Sequence, residues 1–309
     1  MDDERAPLAG RYVLLDEIGT GATGSVWRAW DVRDGRHVAA KVLGRHDDAL
    51  LQRFVREQAV RVQHPHVVAP AGWAAADERV LLTMDVVAGG SVATLLSEHP
   101  TLPEGVVVEL LDQLLQALAA VHAAGVVHRD VKPANLLLEP TGSTRPHLRL
   151  ADFGVAGLLG ETRLTGSGPV GTYGWAPPEQ ERGARADPRQ DLYAVGVLGR
   201  LLLTGHDPAA RVGPATGLVH PRGSLDPLLD ALADPDPELR PASAAHALVT
   251  LRRLGVPPPH AWPHVPDRLG PAPAPPGDPR DPGRLMTLLA GACFLAAILL
   301  SAAAVLIAT

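Results

Sequence analysis

The sequence predicts an α+β protein with a small, strand-rich lobe that carries one helix, a larger helical lobe, and one transmembrane helix near the C-terminal end. Three observations lead to this fold class. Up to about residue 95, short runs of apolar residues alternate with polar ones, which is typical of half-buried strands. Beyond residue 101 the apolar residues recur at helical spacing. Residues 285–308 contain no charged side chain and, as a helix, would be long enough to cross a bilayer.

The composition excludes several classes of protein. A formal charge of −6 over 309 residues gives no basic surface for nucleic acid. The single cysteine excludes an internal disulfide and fits a reducing cytoplasm. The first ten residues are acidic and polar, so no cleavable signal peptide is predicted. Because aromatic residues make up only 4%, the core must consist mainly of Leu, Val and Ala.

The small lobe is bounded by turn signals. Asp34-Gly35 is a hairpin signal, and Pro65 ends a helix that Asp47 or Asp48 can cap. The predicted elements are, in order, strands at 12–18, 25–31 and 37–43, a helix from about 47 to 63, and a strand at 80–87.

The large lobe begins with a long helix. Thr101 and Glu104 are spaced as a capping box, and the apolar pattern continues through Ala124 to Gly125, where a glycine ends the helix. A further strand is predicted at 147–151. A sheet lobe followed by a helical lobe predicts a ligand cleft between the two.

The C-terminal part is unlike the rest. Residues 256–284 include 11 prolines, so they are predicted to form an extended spacer, although a binding site for a partner domain is the alternative. Residues 285–308 are predicted to anchor the chain in a membrane, with a buried core helix as the alternative. Arg280 and Arg284 precede this span, which predicts a cytoplasmic globular part and a C-terminus outside.

A glycine-rich stretch, residues 19–26, lies between the first two strand signals. Its glycines would let backbone N–H groups approach phosphate oxygens, although glycines are also common in ordinary hairpins. It is not a dinucleotide fingerprint, which needs a helix directly after the glycines. The residues concerned are Gly19, Thr20, Gly21, Ala22, Thr23, Gly24, Ser25 and Val26.

Lys41 and Lys132 are the only lysines, and the other 26 basic residues are arginine. A compact ammonium on a flexible stem differs chemically from a planar guanidinium, so these two positions point to a chemical role. Lys41 follows the hairpin and could reach a phosphate. Glu57, which falls within the predicted helix, is the acid most suited to pair with it, a solvated surface glutamate being the alternative.

The stretch His128-Arg129-Asp130 follows the long helix, and Lys132 and Asn135 come shortly after it. Asp152-Phe153-Gly154 follows the strand signal at 147–151. Asp130 could act as a base. Asn135 and Asp152 offer the hard oxygen ligands that suit Mg²⁺, with Mn²⁺ as an alternative ion.

Taken together, these motifs resemble the protein kinase superfamily, most closely the bacterial eukaryotic-like serine/threonine kinases. The resemblance covers residues 11–254 and implies a bilobal protein-kinase-like fold that binds ATP. With the C-terminal segments predicted from composition, the chain divides into a tail (1–10), a kinase domain (11–255, with lobes at about 11–87 and 88–255), a linker (256–284) and a transmembrane helix (285–308).

The resemblance also implies a role for each residue. Lys41 would bind the α- and β-phosphates and pair with Glu57. Asp130 would accept the substrate hydroxyl proton, and Lys132 would contact the γ-phosphate. The metal ligands would be Asn135 and Asp152. The adenine pocket would include the gatekeeper Met84 and the hinge residues Asp85 and Val87. Asp191 would brace the loop that carries Asp130, and Arg240 would be the structural partner of Glu179.

Residues 152–179 would form an activation segment whose phosphate could pair with Arg129. Its candidate hydroxyls, which could also be incidental polar residues of a loop, are Thr162, Thr165, Ser167 and Thr172. Small residues recur along the predicted span and suggest a homodimer as a hypothesis. They are Cys293, Ala297, Ser301, Ala304 and Ala308.

The predicted function is a membrane-anchored kinase that transfers the ATP γ-phosphate to Ser/Thr hydroxyls of proteins in signal transduction. A pseudokinase scaffold would lack one of Lys41, Asp130 or Asp152, and all three are present. A small-molecule phosphotransferase would lack the segment with Gly171-Thr172 and Pro178-Glu179, which is also present.

Overall fold

The computed structural model describes residues 7–21, 24–43, 62–76, 79–152, 174–206, 208 and 223–275. These residues fall into two units. Unit 1 takes its residues from Met1–Arg45, Ala74–Thr83 and Pro271–Thr309, and unit 2 from His46–Trp73 and Met84–Gly270.

The sheet of unit 1 has five strands in the order β1-β2-β3-β5-β4. β1 pairs antiparallel with β2, and β2 with β3, as the alternating apolar pattern predicts. The small core beneath the sheet consists of Tyr12, Ala29, Val38, Ala40 and Leu81. The strands are β1 (Tyr12–Gly21), β2 (Gly24–Asp31), β3 (Arg36–Leu43), β4 (Gly72–Ala76) and β5 (Arg79–Met84).

The predicted hairpin at Asp34-Gly35 is confirmed. Gly35 has φ +60°, a left-handed conformation that glycine adopts without strain, and its N–H donates to Asp31 O at 2.8 Å. The Asp31 carboxylate accepts from Arg11 Nε at 2.9 Å and Nη2 at 2.7 Å, and it also accepts from the N–H groups of the turn. The Arg11 guanidinium holds the pKa of Asp31 below its usual value.

Unit 2 is mainly helical, with a core built mostly from Leu, Val and Ala as the composition predicts. Two short strands, β6 and β7, pair antiparallel. The helices and strands are α1 (Val92–Glu98), α2 (Glu104–Ala123), β6 (Leu136–Leu138), β7 (Leu148–Leu150), α3 (Pro178–Glu181), α4 (Pro188–Thr204), α5 (Asp226–Leu232) and α6 (Ala244–Arg253), with 3₁₀ turns at Pro133–Asn135 and Pro237–Leu239.

Helix α2 lies at the centre of this core and ends, as predicted, before Gly125, which has φ +78°. The predicted capping box at its start is wrong. Pro103 is the N-cap and makes no side-chain bond, whereas the Glu104 carboxylate accepts from Leu225 N at 3.1 Å. Within the described ranges, α2 is the one helix long and apolar enough to cross a membrane by length and composition, and 56% of its apolar window is buried, as suits a core helix.

Residues 256–275, the described part of the proline-rich segment, form no helix, in agreement with their composition, but residues 256–270 pack on unit 2. Val265 is 2% exposed and joins the core cluster, and Trp262 packs against it. Their composition predicts an extended spacer. The docking differs from that prediction because it depends on individual side chains and not on overall proline content.

Several predicted features lie outside the described residues. They are residues 47–61 of the predicted helix with Glu57, the loop residues Ala22 and Thr23, residues 153–173 of the predicted activation segment, and the predicted transmembrane span 285–308.

Candidate active site

The stretch from His128 to Asn135 is a loop followed by a 3₁₀ turn that begins at Pro133. The His128 side chain is fully buried, where Nδ1 accepts from Asp130 N at 3.2 Å and Nε2 donates to Ala151 O at 3.0 Å. The imidazole thereby ties the loop to the end of β7. The sequence gives no sign of this role beyond the presence of the histidine.

Asp191 in α4 braces this loop, as predicted. Its carboxylate is 1% exposed and accepts from the backbone N–H of His128 at 2.8 Å and of Arg129 at 2.7 Å. His122 Nε2 lies 2.8 Å from the same carboxylate, a contact that the sequence did not predict. Arg129 has φ +63°, an uncommon conformation for a residue with a side chain, and the two backbone bonds hold it there.

Three of the predicted site residues meet at Asp130. Asn135 Nδ2 donates both to Asp130 O and to Asp130 Oδ2, each at 2.8 Å. Lys132 Nζ lies 2.8 Å from Asp130 Oδ2. The Asp130 carboxylate is therefore oriented by an amide and accompanied by one ammonium group, while its side chain remains 24% exposed and accessible to a substrate.

Asp152 lies two residues after the end of β7 and has φ +61°. Ala151 N donates to Asn135 O at 2.9 Å, so the backbone leading to Asp152 is joined to the loop that carries Asn135. Within the described part of the chain, both hydrogen bonds of the Asn135 amide use its nitrogen, which leaves its oxygen for a ligand. An amide oxygen and a carboxylate fit Mg²⁺, which takes few protein ligands and completes its shell with phosphate and water. Among the described residues, no group of three His, Cys, Asp or Glu side chains could hold a metal ion.

Gln180, in α3, is a site residue that the sequence did not single out. Its Nε2 donates to Arg129 O at 3.1 Å, so both peptide groups of Arg129 are held. A small cleft lies beside Asp130 and is lined by the loop, residues 175–177 and α4. Two buried atoms of residues lining it, Arg129 Nε and Gln190 Oε1, have no hydrogen-bond partner within the described part of the chain.

The predicted pair of Glu179 and Arg240 is confirmed. Arg240 Nη1 donates to Glu179 Oε1 at 2.6 Å and Nη2 to Oε2 at 2.9 Å, a two-pronged pair whose arginine side chain is 0% exposed.

Met84 ends β5, and Asp85 and Val87 lie in the extended residues that follow it in unit 2. Asp85 is exposed, and its carboxylate accepts from Arg149 Nη2 at 3.1 Å. Arg149, on β7, also contacts Glu139 and Val67 O.

Unit 1 carries Lys41 and the described residues of the glycine-rich stretch. β1 and β2 continue into the glycine-rich stretch, where Gly19 pairs with Val26, Thr20 with Ser25 and Gly21 with Gly24. Gly24 has φ +139°, so a side chain there would be strained. Lys41 lies on β3 opposite Val26 and is 5% exposed. Its side chain therefore starts from the same sheet as the glycines.

Comparison with known proteins identifies this arrangement. A family profile described as the protein kinase domain matches residues 12–217, more than half of the chain. The serine/threonine-protein kinase PknL of Mycobacterium tuberculosis is 39% identical over 211 residues, which cover 66% of this chain and 52% of PknL. The serine/threonine-protein kinase PkaA of Streptomyces coelicolor is 36% identical over 248 residues, covering 75% of this chain and 45% of PkaA. The chain thus spans about half the length of these relatives.

Among solved structures, the kinase domain of PknI from Mycobacterium tuberculosis, determined as a double mutant, is similar with a TM-score of 0.66 and 26% identity. The match covers 82% of this chain and 99% of that domain. The fold is therefore that of a protein kinase. The chain belongs to the protein kinase family, within its bacterial eukaryotic-like serine/threonine branch.

Proposed function

We propose that this chain is an ATP-dependent serine/threonine protein kinase that is anchored to a membrane and phosphorylates its own activation segment. The observation that carries the proposal is the cluster of Asp130, Lys132 and Asn135, in which a partly exposed carboxylate is oriented by an amide and accompanied by an ammonium. The proposed order is a tail (1–10), a kinase domain (11–255), a proline-rich segment (256–284) and a transmembrane helix (285–308).

The proposed reaction is a direct transfer. The oxygen of a substrate Ser or Thr attacks the γ-phosphorus of ATP, an O–P bond forms, and the bond from that phosphorus to the β,γ-bridging oxygen breaks to release ADP. The hydroxyl proton passes to Asp130. Lys132, already 2.8 Å from that carboxylate, neutralises charge on the γ-phosphate during transfer.

Asn135 and Asp152 would hold the metal, Mg²⁺ or Mn²⁺, which supplies charge neutralisation for the phosphates when bound. Lys41 would bind the α- and β-phosphates with Glu57 as its ion partner, and the glycine-rich residues 19–26 would cover the phosphates. Met84, Asp85 and Val87 would contact the adenine.

Self-phosphorylation is supported by Arg129. Its buried Nε has no hydrogen-bond partner in the described ranges, so the guanidinium can receive a phosphate. Residues 152–179 supply the candidate acceptors. Membrane attachment is supported by the uncharged run 285–308, and homodimerisation along its small residues remains a hypothesis.

The test uses the full chain in lipid vesicles with Mg²⁺ and labelled ATP, beside the variants Asp130→Asn and Lys41→Met. We expect label on Ser and Thr of the wild type and none on either variant. Mass spectrometry would then show which of the candidate hydroxyls carry phosphate. Full labelling of Asp130→Asn would contradict the role given to that carboxylate.

Anchoring is tested separately by flotation with vesicles. The wild type should float, and the double variant Ala296→Arg and Leu299→Arg should not, because each charge at the centre of a span costs about 2.5–3.5 kcal/mol on insertion scales. Flotation of both would mean that another part of the chain binds the membrane.

A further inference from the structure

Residues 264–268 form a docked segment that lies beyond residue 217, where the match to the kinase domain ends. Val265 exchanges two backbone hydrogen bonds with Gly142, of 2.9 Å and 2.8 Å, and its side chain is 2% exposed. His264 Nδ1 lies 3.1 Å from Ser143 Oγ. The docked segment is thus fixed to the connection between β6 and β7.

Arg268 in the docked segment binds the backbone of residues 88–90. Its N–H donates to Ala88 O at 2.8 Å, its Nε donates to Gly89 O at 3.3 Å, and its Nη2 pairs with Glu98 at 2.7 Å. The contact is close enough to need glycine. A Cβ on Gly89 would lie 2.8 Å from Val265 Cγ1, and one on Gly90 would lie 2.7 Å from Arg268 Cδ.

The opposite side of residues 88–90 is held by β6. Gly89 N donates to Leu138 O, and Leu138 N donates to Gly90 O, both at 2.9 Å. A Cβ on Gly89 would lie 2.4 Å from Leu138 O, so the backbone packs tightly here too. β6 begins directly after Asn135, so residues 88–90 lie between the strand that follows a predicted metal ligand and the docked segment.

We propose that Arg268 is a positioning residue for nucleotide binding. Arg268 holds the backbone of Ala88–Gly90. Because these residues directly follow Val87, this contact also restricts the backbone of Asp85–Val87, the residues to which the proposed function assigns adenine binding. A chain held in its binding conformation loses less conformational freedom when the ligand binds, so the benefit appears in nucleotide affinity and not in the chemical step. The inference rests on the proposed function for the identity of the ligand.

The experiment measures the full chain in lipid vesicles in two ways, by the dissociation constant for a fluorescent ADP analogue and by steady-state kinetics with ATP. Arg268→Ala removes the bonds to Gly89 and Glu98. We expect the dissociation constant and the KM for ATP to rise about 2- to 10-fold, the range for losing one such interaction, with kcat unchanged. The matched control is Arg252→Ala, which removes a pair with Asp112 of 2.6 Å and 2.9 Å that involves neither the docked segment nor residues 88–90.

A fall in kcat with unchanged nucleotide affinity would overturn the proposal, and so would equal effects of Arg268→Ala and Arg252→Ala. If Arg268→Ala fails to fold, Glu98→Gln serves instead, because it loosens the Arg268 side chain from an exposed partner. If the wild type binds nucleotide but transfers no phosphate, the proposed function fails. The dissociation constants of the variants would still decide the role of Arg268.

Discussion

Breaking the pair of Glu179 and Arg240 should destabilise the protein severely. The Arg240 side chain is 0% exposed and makes five hydrogen bonds, two of them to Glu179 and three to the carbonyl oxygens of Asp234, Pro235 and Arg189. Glu179→Ala leaves the three carbonyl bonds in place but removes the only carboxylate that the described structure pairs with this guanidinium. The positive charge then stays buried without a countercharge in the described structure.

Leaving one partner of a buried ion pair uncompensated typically costs about 3–5 kcal/mol. For a domain of this size, 1 kcal/mol shifts the melting temperature by roughly 2–4 °C, so we expect a fall of roughly 6–20 °C. The assay is thermal unfolding followed by circular dichroism for Glu179→Ala, Arg240→Ala and the double variant. Since the double variant contains no unpaired charge, its loss should be smaller than the sum of the single losses by at least about 1 kcal/mol.

The matched control is the pair of Arg200 and Asp230, whose side chains are 47% and 53% exposed. Exposed pairs contribute about 0–1 kcal/mol, so Asp230→Ala should move the melting temperature by only a few degrees. The reasoning is refuted if Glu179→Ala melts within about 2 °C of the wild type, or if the two single losses add without coupling.

Three further predictions concern pH, helix packing and the loop brace. Burial lowers the pKa of His66, whose Nδ1 donates to Leu148 O at 2.8 Å, so its contribution to stability is present above the unfolded-state pKa of about 6.5 and is lost as pH falls below it. The melting temperature should therefore drop between about pH 7.5 and about pH 5.5, and His66→Asn should lessen that drop; an equal drop in both would exclude His66 as the source. Gly196→Ala would gain about 1 kcal/mol of helix propensity but places a Cβ 2.7 Å from Ala233 N, so a net loss of about 1–3 kcal/mol is expected in urea unfolding, and a gain would mean that α5 shifts freely. Asp191→Asn should lower kcat about tenfold to a hundredfold while the KM for ATP stays constant, because one backbone N–H loses its charged acceptor; a change confined to KM would show that the brace does not position Asp130.

Much of the site was predictable because its members lie close together in sequence. Asp130, Lys132 and Asn135 fall within one loop and one 3₁₀ turn, so any fold that keeps this turn keeps them near one another. The hairpin at Gly35 and the end of α2 at Gly125 were predictable for a similar reason, since a left-handed backbone conformation is a local property that favours glycine. The prediction of Asp191 and of the pair of Glu179 and Arg240 came instead from the family resemblance.

Local sequence patterns were insufficient where a side chain can bind either a group nearby in sequence or a distant backbone group. Thr101 and Glu104 have the spacing of a capping box, yet Glu104 binds Leu225 N, which is 121 residues away in sequence. Gln180 resembles any polar helix residue until α3 brings its amide to Arg129 O. Both outcomes depend on which distant backbone group is presented, and a pattern of residue types carries no information on that.

The sequence by itself predicted strands β1, β2, β3, β5 and β7, helix α2 and the turns at Gly35 and Gly125, because each follows from local backbone preference, and it supplied the candidate site residues as short motifs. The tertiary structure decided where the proline-rich residues 256–270 go. Their composition permits a free spacer, but Val265 is buried beside Gly89, and Arg268 donates hydrogen bonds to the carbonyl groups of Ala88 and Gly89. Those partners lie some 180 residues earlier in the chain, and the burial and hydrogen bonding that favour docking arise only once unit 2 has assembled that surface.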